Sequence, residues 1–296
     1  MEAAAAQGEW LHVVAPTEAD LAALRARGVP DALLTHVGDP DERPRVEHAG
    51  DVVLVVLQCP RARVDSVGAP YTTVPLSIFL TPGGVATVAP RALAFVDQLW
   101  SSEGRVPKPS RAGEFVLRIF WHLADAYLGA VREINAAVER LEDKLRRSLR
   151  NEEVLGLLEY QKSLTYLATG MSANELVLER VQRVQALHWA EQDQEFLDDV
   201  RVEVRQAIDM AAISDNILSQ MMDAFASIVS NNLNSVLKVL TSVTILLAIP
   251  TLVASLYGMN VALPGVRTHW AFAGIVLGCV ALCVALIVVF RRRNWL

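Results

Sequence analysis

The hydrophobic pattern is strongest towards the end of the chain, where two long segments carry no charged residue. Val239–Leu256 is an uncharged run of 18 residues, and Trp270–Phe290 is one of 21. A helix that rises about 1.5 Å per residue needs about 20 apolar residues to cross roughly 30 Å of hydrocarbon. The pattern therefore predicts two transmembrane helices, at about 238–256 and 270–290, joined by an external loop at 257–269. The alternative is a buried helical hairpin in a large soluble core.

The N-terminal part of the chain has a different pattern, in which short runs of β-branched and apolar residues lie between turn residues. Three strands are predicted, at Asp51–Cys59, Tyr71–Thr81 and Gly84–Val88. Thr17 is the predicted cap of a helix that precedes them. Residues 1–110 are therefore predicted to form a mixed α/β domain. Its end is marked by a linker at 106–110, which contains two prolines.

The middle of the chain has apolar residues at helical period and no proline between Gly113 and Pro250. We expect an antiparallel helical pair over 111–194, with helices at Arg111–Ser148 and Glu152–Ala190. Two such helices without a sheet of their own need a partner surface, so they should pack on each other and on the next helix.

The third helix is predicted to be unusually long. It runs from about Glu195 through a stalk at 195–235 into the first membrane span, and ends near Leu256. A rod of this length is not needed by a monomeric fold, so it favours an oligomer. The predicted fold class is an α+β membrane protein. It has an N-terminal mixed α/β cytoplasmic domain and a long helical stalk, which continues into the first of two C-terminal transmembrane helices in the segment 236–296.

A line of polar residues follows this helix at heptad spacing. Steps of four and three residues meet, in order, Asp223, Ser227, Ser230, Asn234, Leu237, Thr241, Thr244, Ala248, Thr251 and Ser255, of which eight are polar. A seven-residue period keeps one face of a helix towards a shared axis, and polar side chains in a bilayer face protein or water. Several copies would therefore line a narrow wet pore, with Leu237 as an apolar constriction. The alternative is that these hydroxyls bond to carbonyls four residues earlier and help to pack a hairpin.

Two further features of the spans concern packing. Pro250 removes the hydrogen bond to the Leu246 carbonyl, which either kinks the helix or is satisfied by a neighbour. Cys279 and Cys283 share a face of the second span, where we expect them to be packing residues, and with Cys59 they form no metal-ligand spacing.

Composition narrows the functional class. A mean hydropathy of +0.30 with 20% charged residues fits a protein that lies partly in a membrane. The net charge is −6, and acids gather at Glu191–Glu203, where six of thirteen residues are Asp or Glu, so no nucleic-acid partner is expected. The six histidines are scattered and no Gly-rich phosphate loop follows a strand, so no enzyme activity and no covalently bound cofactor is expected.

Basic residues predict the orientation. Lys238 precedes the first span, Arg291–Arg293 follow the second, and the connecting loop holds only Arg267. Under the positive-inside rule both ends are cytoplasmic, in the plasma membrane of the cell. The first residues, Met1–Gln7, lack a basic region followed by an apolar core, so no signal peptide is expected.

The most specific string in the sequence is Tyr257-Gly258-Met259-Asn260, at the end of the first span. At a membrane face, backbone carbonyls and the Asn260 amide can contact a hydrated ion. Mg²⁺ dehydrates reluctantly, so carbonyls, amides and hydroxyls around its water shell suit it. A zinc pore should show His or Cys on the polar line, which has none.

These residues resemble the CorA family of magnesium transporters, two-span proteins with a Gly-Met-Asn signature. The resemblance covers nearly the whole chain. It includes Tyr257–Asn260, the stalk segment Met221–Asn234 and the basic ending Arg291–Leu296, with Asp41–Arg45 and Tyr71–Pro75 in the N-terminal domain.

Membership of this family implies a homopentamer that conducts Mg²⁺, and also Co²⁺ or Ni²⁺, into the cell. Gly258, Met259 and Asn260 match the family's outer selectivity ring, and Asn234 matches an amide ring lower in the pore. In the family, acidic residues between subunits bind regulatory Mg²⁺ and close the pore. The counterparts implied here are Asp223, Asp198 and Asp199.

One departure from the family concerns the external loop. Many members carry carboxylates there, whereas Val261–Trp270 contains none and has Arg267 and His269. A cation near the mouth repels a divalent ion, so attraction should be weaker. This keeps open a zinc or other transition-metal transporter of the same superfamily, with or without proton coupling. A non-transporting membrane sensor or scaffold is the alternative from another class.

Overall fold

The computed structural model describes residues 10–63, 68–102, 112–147, 151–187, 189, 191–259, 270–293 and 295. Two compact units are present, Met1–Met222 and Asp223–Leu296. The predicted linker at 106–110 and most of the predicted external loop lie outside the described residues.

The first unit contains a five-stranded mixed sheet. Its strands are β1 (Leu11–Val14), β2 (Arg45–Ala49), β3 (Val52–Ala62), β4 (Tyr71–Thr81) and β5 (Gly84–Ala89). They lie in the order β1-β5-β4-β3-β2, with β1 parallel to β5 and the other pairs antiparallel. The predicted strands correspond to β3, β4 and β5. The short edge strands β1 and β2 were not predicted, because half-exposed edge strands carry little apolar signal.

Both faces of the sheet are buried, which explains why β3 reads as a continuous apolar run instead of an alternating one. Val52, Leu54 and Val56 belong to a core cluster with residues around two short helices, α1 (Glu18–Ala26) and α2 (Asp31–Leu34). The alternate residues of β3 are also buried, and the opposite face is covered by longer helices. The cap prediction is confirmed, since Thr17 and Asp20 form a capping box at the start of α1.

The covering helices are α3 (Ala94–Ser102), α4 (Ala112–Arg147) and α5 (Asn151–Val181). Helices α4 and α5 pack on each other, as expected. They also pack on β3, and α5 packs on β4, which was not expected of a pair predicted to pack on itself and on the next helix. Gly170 permits a close approach of α5 to the sheet: a Cβ there would lie 2.6 Å from Tyr127 Oη and 2.9 Å from a Thr73 methyl. The helix ends nine residues before the predicted Ala190, and a 3₁₀ turn at Gln185–Leu187 follows.

The long helix α6 spans Glu191–Tyr257, 67 residues without interruption. Its first part belongs to the first unit and buries one face, with Val200, Val204, Ala207, Ala211 and Leu218 at most 1% exposed. Side-chain hydrogen bonds from Asn135 to Ser214 and from Gln161 to Ser219 join it to α4 and α5. Much of the predicted stalk, 195–235, is therefore packed against the preceding helical pair.

The second unit comprises the rest of α6 and the helix α7 (Ala271–Arg292). By length and composition, α6 and α7 are the two described helices able to cross a membrane, and almost none of their apolar windows is buried within the chain. An uncovered apolar surface of this extent needs a bilayer or further protein around it.

Candidate ion-conduction path

The predicted polar line lies on a single uncovered face of α6. Every one of its ten residues is exposed in the single chain, including Asn234, Thr241, Ala248 and Ser255. Leu237, the apolar exception besides Ala248, is 48% exposed. The line is thus available to contact water or other copies of the chain.

A second stripe on α6 faces α7. Ser242 is fully buried, and Leu246, Ile249 and Val253 are the less exposed residues that follow it at helical spacing. A matching stripe on α7 consists of Ile275, Cys279, Cys283, Leu286 and Phe290. With 3.6 residues per turn, the polar line lies on roughly the opposite side of α6 from this stripe. The line therefore does not serve to pack the hairpin of one chain.

The hydroxyls on the line donate to their own helix. Thr244 Oγ1 donates to the Leu240 carbonyl and Thr251 Oγ1 to the Leu247 carbonyl, each at 2.8 Å. Each oxygen keeps its lone pairs as acceptors. The hydroxyls can therefore accept hydrogen bonds from the water shell of a cation, whose hydrogens point outwards.

Ser242 is the hydroxyl residue of the first span that lies off the line. Its Oγ donates to the Lys238 carbonyl at 2.8 Å, and the side chain is 0% exposed. The alternative for the whole line had two parts. The bond to a carbonyl four residues earlier is present at Thr244 as well as at Ser242, whereas burial against α7 is found at Ser242 and not at the exposed Thr244.

The structure shows how the break at Pro250 is accommodated. Pro250 lies inside α6 and cannot donate to the Leu246 carbonyl, yet the helix is continuous. The Sγ atom of Cys283 on α7 lies 3.8 Å from that carbonyl oxygen and donates a weak hydrogen bond to it. The sequence left open whether Pro250 kinks the helix or a neighbour satisfies the freed carbonyl, and the structure shows a neighbouring donor. That donor, Cys283, was expected only to pack.

Two residues of the Gly-Met-Asn signature are described, at the C-terminal end of α6. The Gly258 N–H donates to the Ala254 carbonyl at 2.9 Å, and a Cβ at Gly258 would lie 3.2 Å from that oxygen. Met259 follows and is 55% exposed, while Asn260 lies outside the described residues. A helix C-terminus carries partial negative charge, which favours a cation beyond it.

The three candidate regulatory acids are not brought together with other ligands in one chain. Asp198 is exposed and pairs with Arg201 at 3.3 Å, Asp199 is exposed, and Asp223 is exposed on the second unit. In the described part of the chain no group of three His, Cys, Asp or Glu residues is placed to hold a metal ion. A site that uses these acids would need carboxylates from another copy.

A polar network that the sequence did not predict joins β1, β5 and α3. Trp10 Nε1 donates to Thr87 Oγ1 at 2.7 Å, His12 Nδ1 lies 2.9 Å from the same oxygen, and His12 Nε2 lies 3.1 Å from Asp97 Oδ1. Its order resembles a nucleophile–histidine–acid array, but Thr87 is 0% exposed. The hydroxyl cannot reach a substrate, and the network ties the edge strand β1 into the fold.

Comparison with known proteins gives relatives over nearly the whole length. A family model described as CorA-like Mg²⁺ transporter protein matches residues 5–292. The chain is 26% identical to the cobalt/magnesium transport protein CorA of Methanocaldococcus jannaschii over 293 residues, which cover 97% of this chain and 91% of the relative. It is 23% identical to the cobalt/magnesium transport protein CorA of Thermotoga maritima, over 91% of this chain and 77% of the relative.

Solved structures agree with these relatives. The complete structure of the CorA magnesium transporter from Methanocaldococcus jannaschii matches with a TM-score of 0.84 at 26% identity, and the match covers 97% of this chain and 91% of that one. The full-length CmaX protein matches with a TM-score of 0.66 at 20% identity over 97% of this chain and 88% of that one, a likeness of fold. Because the family model and the fold extend over nearly all of the sequence, the chain belongs to the CorA-like Mg²⁺ transporter family.

Proposed function

We propose that this protein is a homopentameric channel that admits Mg²⁺ through the plasma membrane, with both termini in the cytoplasm. Co²⁺ and Ni²⁺ would also pass through the same pore as hydrated ions, as minor substrates. The observation that carries the proposal is the polar line on α6, which is exposed and lies opposite the stripe that packs on α7. Five copies arranged with this face inwards enclose a path of hydroxyls and amides.

The chemistry of the line suits a hydrated divalent cation. Thr244 and Thr251 direct oxygen lone pairs outwards, and Asn234 adds an amide towards the start of the span. None of these groups is charged, so the ion keeps its water shell instead of binding too tightly to leave. Leu237 forms the apolar ring that closes the path by excluding water.

The first experiment tests the line by two hydroxyl deletions of similar size. Thr244→Val removes a hydroxyl from the line with little change of shape, and Ser242→Ala removes one from the α7-facing stripe. We expect Thr244→Val to lower Mg²⁺ uptake into proteoliposomes severalfold at unchanged protein content, and Ser242→Ala to leave it within twofold. Equal losses would support the packing role and refute the pore assignment.

The second experiment tests the selectivity ring formed by Gly258, Met259 and Asn260. The Asn260 amide is the side chain proposed to contact the water shell of the entering ion, beyond the partially negative end of α6. Asn260→Ala should abolish Mg²⁺-selective uptake while the protein remains assembled, as measured by its mass in detergent. Wild-type selectivity in this variant would remove Asn260 from the ring.

Regulation is proposed to involve Asp223, Asp198 and Asp199, which bind cytoplasmic Mg²⁺ between neighbouring copies. Removal of a carboxylate lowers the charge that attracts the ion and so weakens closure. Asp223→Ala should raise flux at high internal Mg²⁺, and Asp209→Ala, an exposed acid on the same helix, is the control. Unchanged inhibition in Asp223→Ala would exclude it from the gate.

The zinc alternative is not favoured, since two of the relatives are named for cobalt and magnesium transport. The same vesicles decide it directly. Uptake of Mg²⁺, Co²⁺ and Zn²⁺ is compared with and without a proton gradient, and we expect Mg²⁺ uptake that needs no gradient. A requirement for the gradient together with a preference for Zn²⁺ would reverse this conclusion, and no flux of any ion would support the scaffold.

A further inference from the structure

The end of the second unit concentrates positive charge. The one Asp or Glu of this unit, Asp223, lies 15 residues before Lys238 on α6, about 22 Å away at the standard helical rise. Arg291, Arg292 and Arg293 are all exposed at the end of α7, and Lys238 is exposed on α6. The sequence contains no Asp or Glu after Asp223. This charge stands out in a chain whose net charge is −6.

The contact between α6 and α7 places these cations at one level of the hairpin. Leu246 lies against Cys283, and the buried residues Ser242 and Phe290 lie before this contact on α6 and after it on α7, as in two antiparallel helices. A step of eight residues on each helix leads from this contact to Lys238 and to Arg291, both about 12 Å away at the standard helical rise. Lys238 and the arginines therefore form one basic cluster, which we call the basic end.

A stacked pair of aromatic rings lies beside the basic end. After α7, the backbone N–H of Trp295 donates to the Phe290 carbonyl at 2.9 Å. The Trp295 and Phe290 rings are stacked, with centroids 5.6 Å apart and planes 7° apart. Tryptophan is enriched where hydrocarbon meets headgroups, because its ring is apolar and its N–H is polar.

We propose that the basic end, with Trp295 beside it, binds the headgroups of anionic phospholipids. The proposal rests on the proposed function only in that it requires the hairpin to span a bilayer. The uncovered apolar surface of α7 continues directly into the cluster, so a lipid whose acyl chains lie along α7 brings its phosphate to Arg291–Arg293. Arginine binds phosphate oxygens through paired N–H groups, and basic residues at an anionic surface each add roughly fivefold in affinity.

The test uses the full-length protein in vesicles of phosphatidylcholine with increasing phosphatidylglycerol, and brominated forms of each lipid quench tryptophan fluorescence. The wild type should be quenched preferentially by brominated phosphatidylglycerol, and the Trp295→Phe variant should lose this component. The triple variant R291Q/R292Q/R293Q should reduce the preference at least about fivefold, and raising the salt concentration should weaken it in the wild type.

A matched control distinguishes an effect of the basic end from an effect of the protein's net charge. Arg140→Gln, Lys144→Gln and Lys162→Gln together remove the same number of exposed cations from α4 and α5, and should leave the preference unchanged. Equal quenching by both lipids in the wild type, or equal losses in the two triple variants, would overturn the proposal. So would a triple arginine variant that keeps its lipid preference but unfolds more readily in neutral detergent, since the arginines would then pair with acids of the protein.

Mg²⁺ uptake in the same vesicles keeps the two proposals distinguishable. Uptake without any lipid preference overturns the basic end alone and leaves the channel. Lipid preference without uptake supports the basic end and counts against the channel.

Discussion

Asn174 is predicted to stabilise the first unit by completing the sheet at the point where β2 stops. β2 pairs with β3 only as far as Arg45 opposite Val56, so the next outward-facing peptide groups of β3 belong to Gln58. The Gln58 N–H donates to Asn174 Oδ1 at 2.8 Å, and Asn174 Nδ2 donates to the Gln58 carbonyl at 2.7 Å. The side-chain amide thus takes the place of a strand.

The cost of removing this amide can be worked out group by group. Asn174 is 0% exposed, so water does not replace it. In Asn174→Leu the Gln58 carbonyl keeps its bond from Tyr127 Oη at 3.0 Å, whereas the Gln58 N–H is left without a partner. A buried donor without a partner costs about 1–3 kcal/mol. For a unit of this size that lowers the midpoint of thermal unfolding by roughly 4–8 °C, taking about 2 kcal/mol as the central value.

The assay is thermal unfolding of the full-length protein in detergent, followed by tryptophan fluorescence. Asn135→Leu is the matched control, because Asn135 Nδ2 donates to a side-chain oxygen, Ser214 Oγ, at 3.0 Å, and not to a backbone group. Its midpoint should fall by less than half as much. A shift below about 1 °C for Asn174→Leu, or equal shifts for the two variants, would refute the reasoning that an orphaned backbone N–H dominates the cost.

The remaining predictions concern a span and a surface. Cys283→Ala removes the donor to the Leu246 carbonyl and should lower Mg²⁺ uptake, whereas Cys283→Ser keeps a donor and should restore uptake. Cys279→Ala, on the same face of α7, should leave uptake unchanged. Normal uptake by Cys283→Ala would show that the carbonyl freed by Pro250 needs no donor. Burial and a hydrogen bond to the Glu133 carboxylate raise the pKa of Tyr71. The folded state then holds this proton more tightly than the unfolded state, so stability falls as pH rises above about 10, the pKa of an unperturbed tyrosine. Tyr71→Phe should reduce that fall in alkaline unfolding titrations, and an unchanged slope would contradict the assignment.

The central part of the fold was predictable because its signals are local. β3, β4 and β5 are buried on both faces and are therefore apolar along their length, and the capping box at Thr17 lies within four residues. The edge strands β1 and β2 depend on partners distant in sequence, with β1 paired to β5 across about 75 residues. Such pairing is set by tertiary contacts, which short windows of sequence do not contain.

The polar line of the candidate path was predictable from the sequence, but the contacts between α6 and α7 behind it were not. Heptad spacing placed the polar line on one face of α6, and the structure places that face away from α7. The bond from Cys283 to the Leu246 carbonyl could not be read from the sequence, because it joins residues on different helices through the register of their packing. The division of the predicted stalk follows the burial of α6: buried residues recur on one face from Val200 to Leu218, and none is buried from 219 to 241.

The polar line and the α7-facing stripe lie on opposite faces of α6, and this limits how α7 can influence transport. α7 packs on the side of α6 away from the polar line, so a change in α7 can affect the path only through α6 itself. Leu246 lies between Thr244 and Ala248 of the line, and its carbonyl is held by Cys283 instead of by its own helix. A contact at the proline is therefore the place where α7 can alter the direction of α6 at the level of the path. The proposed pore and the packing of the hairpin are for this reason coupled at Pro250, although they use opposite faces.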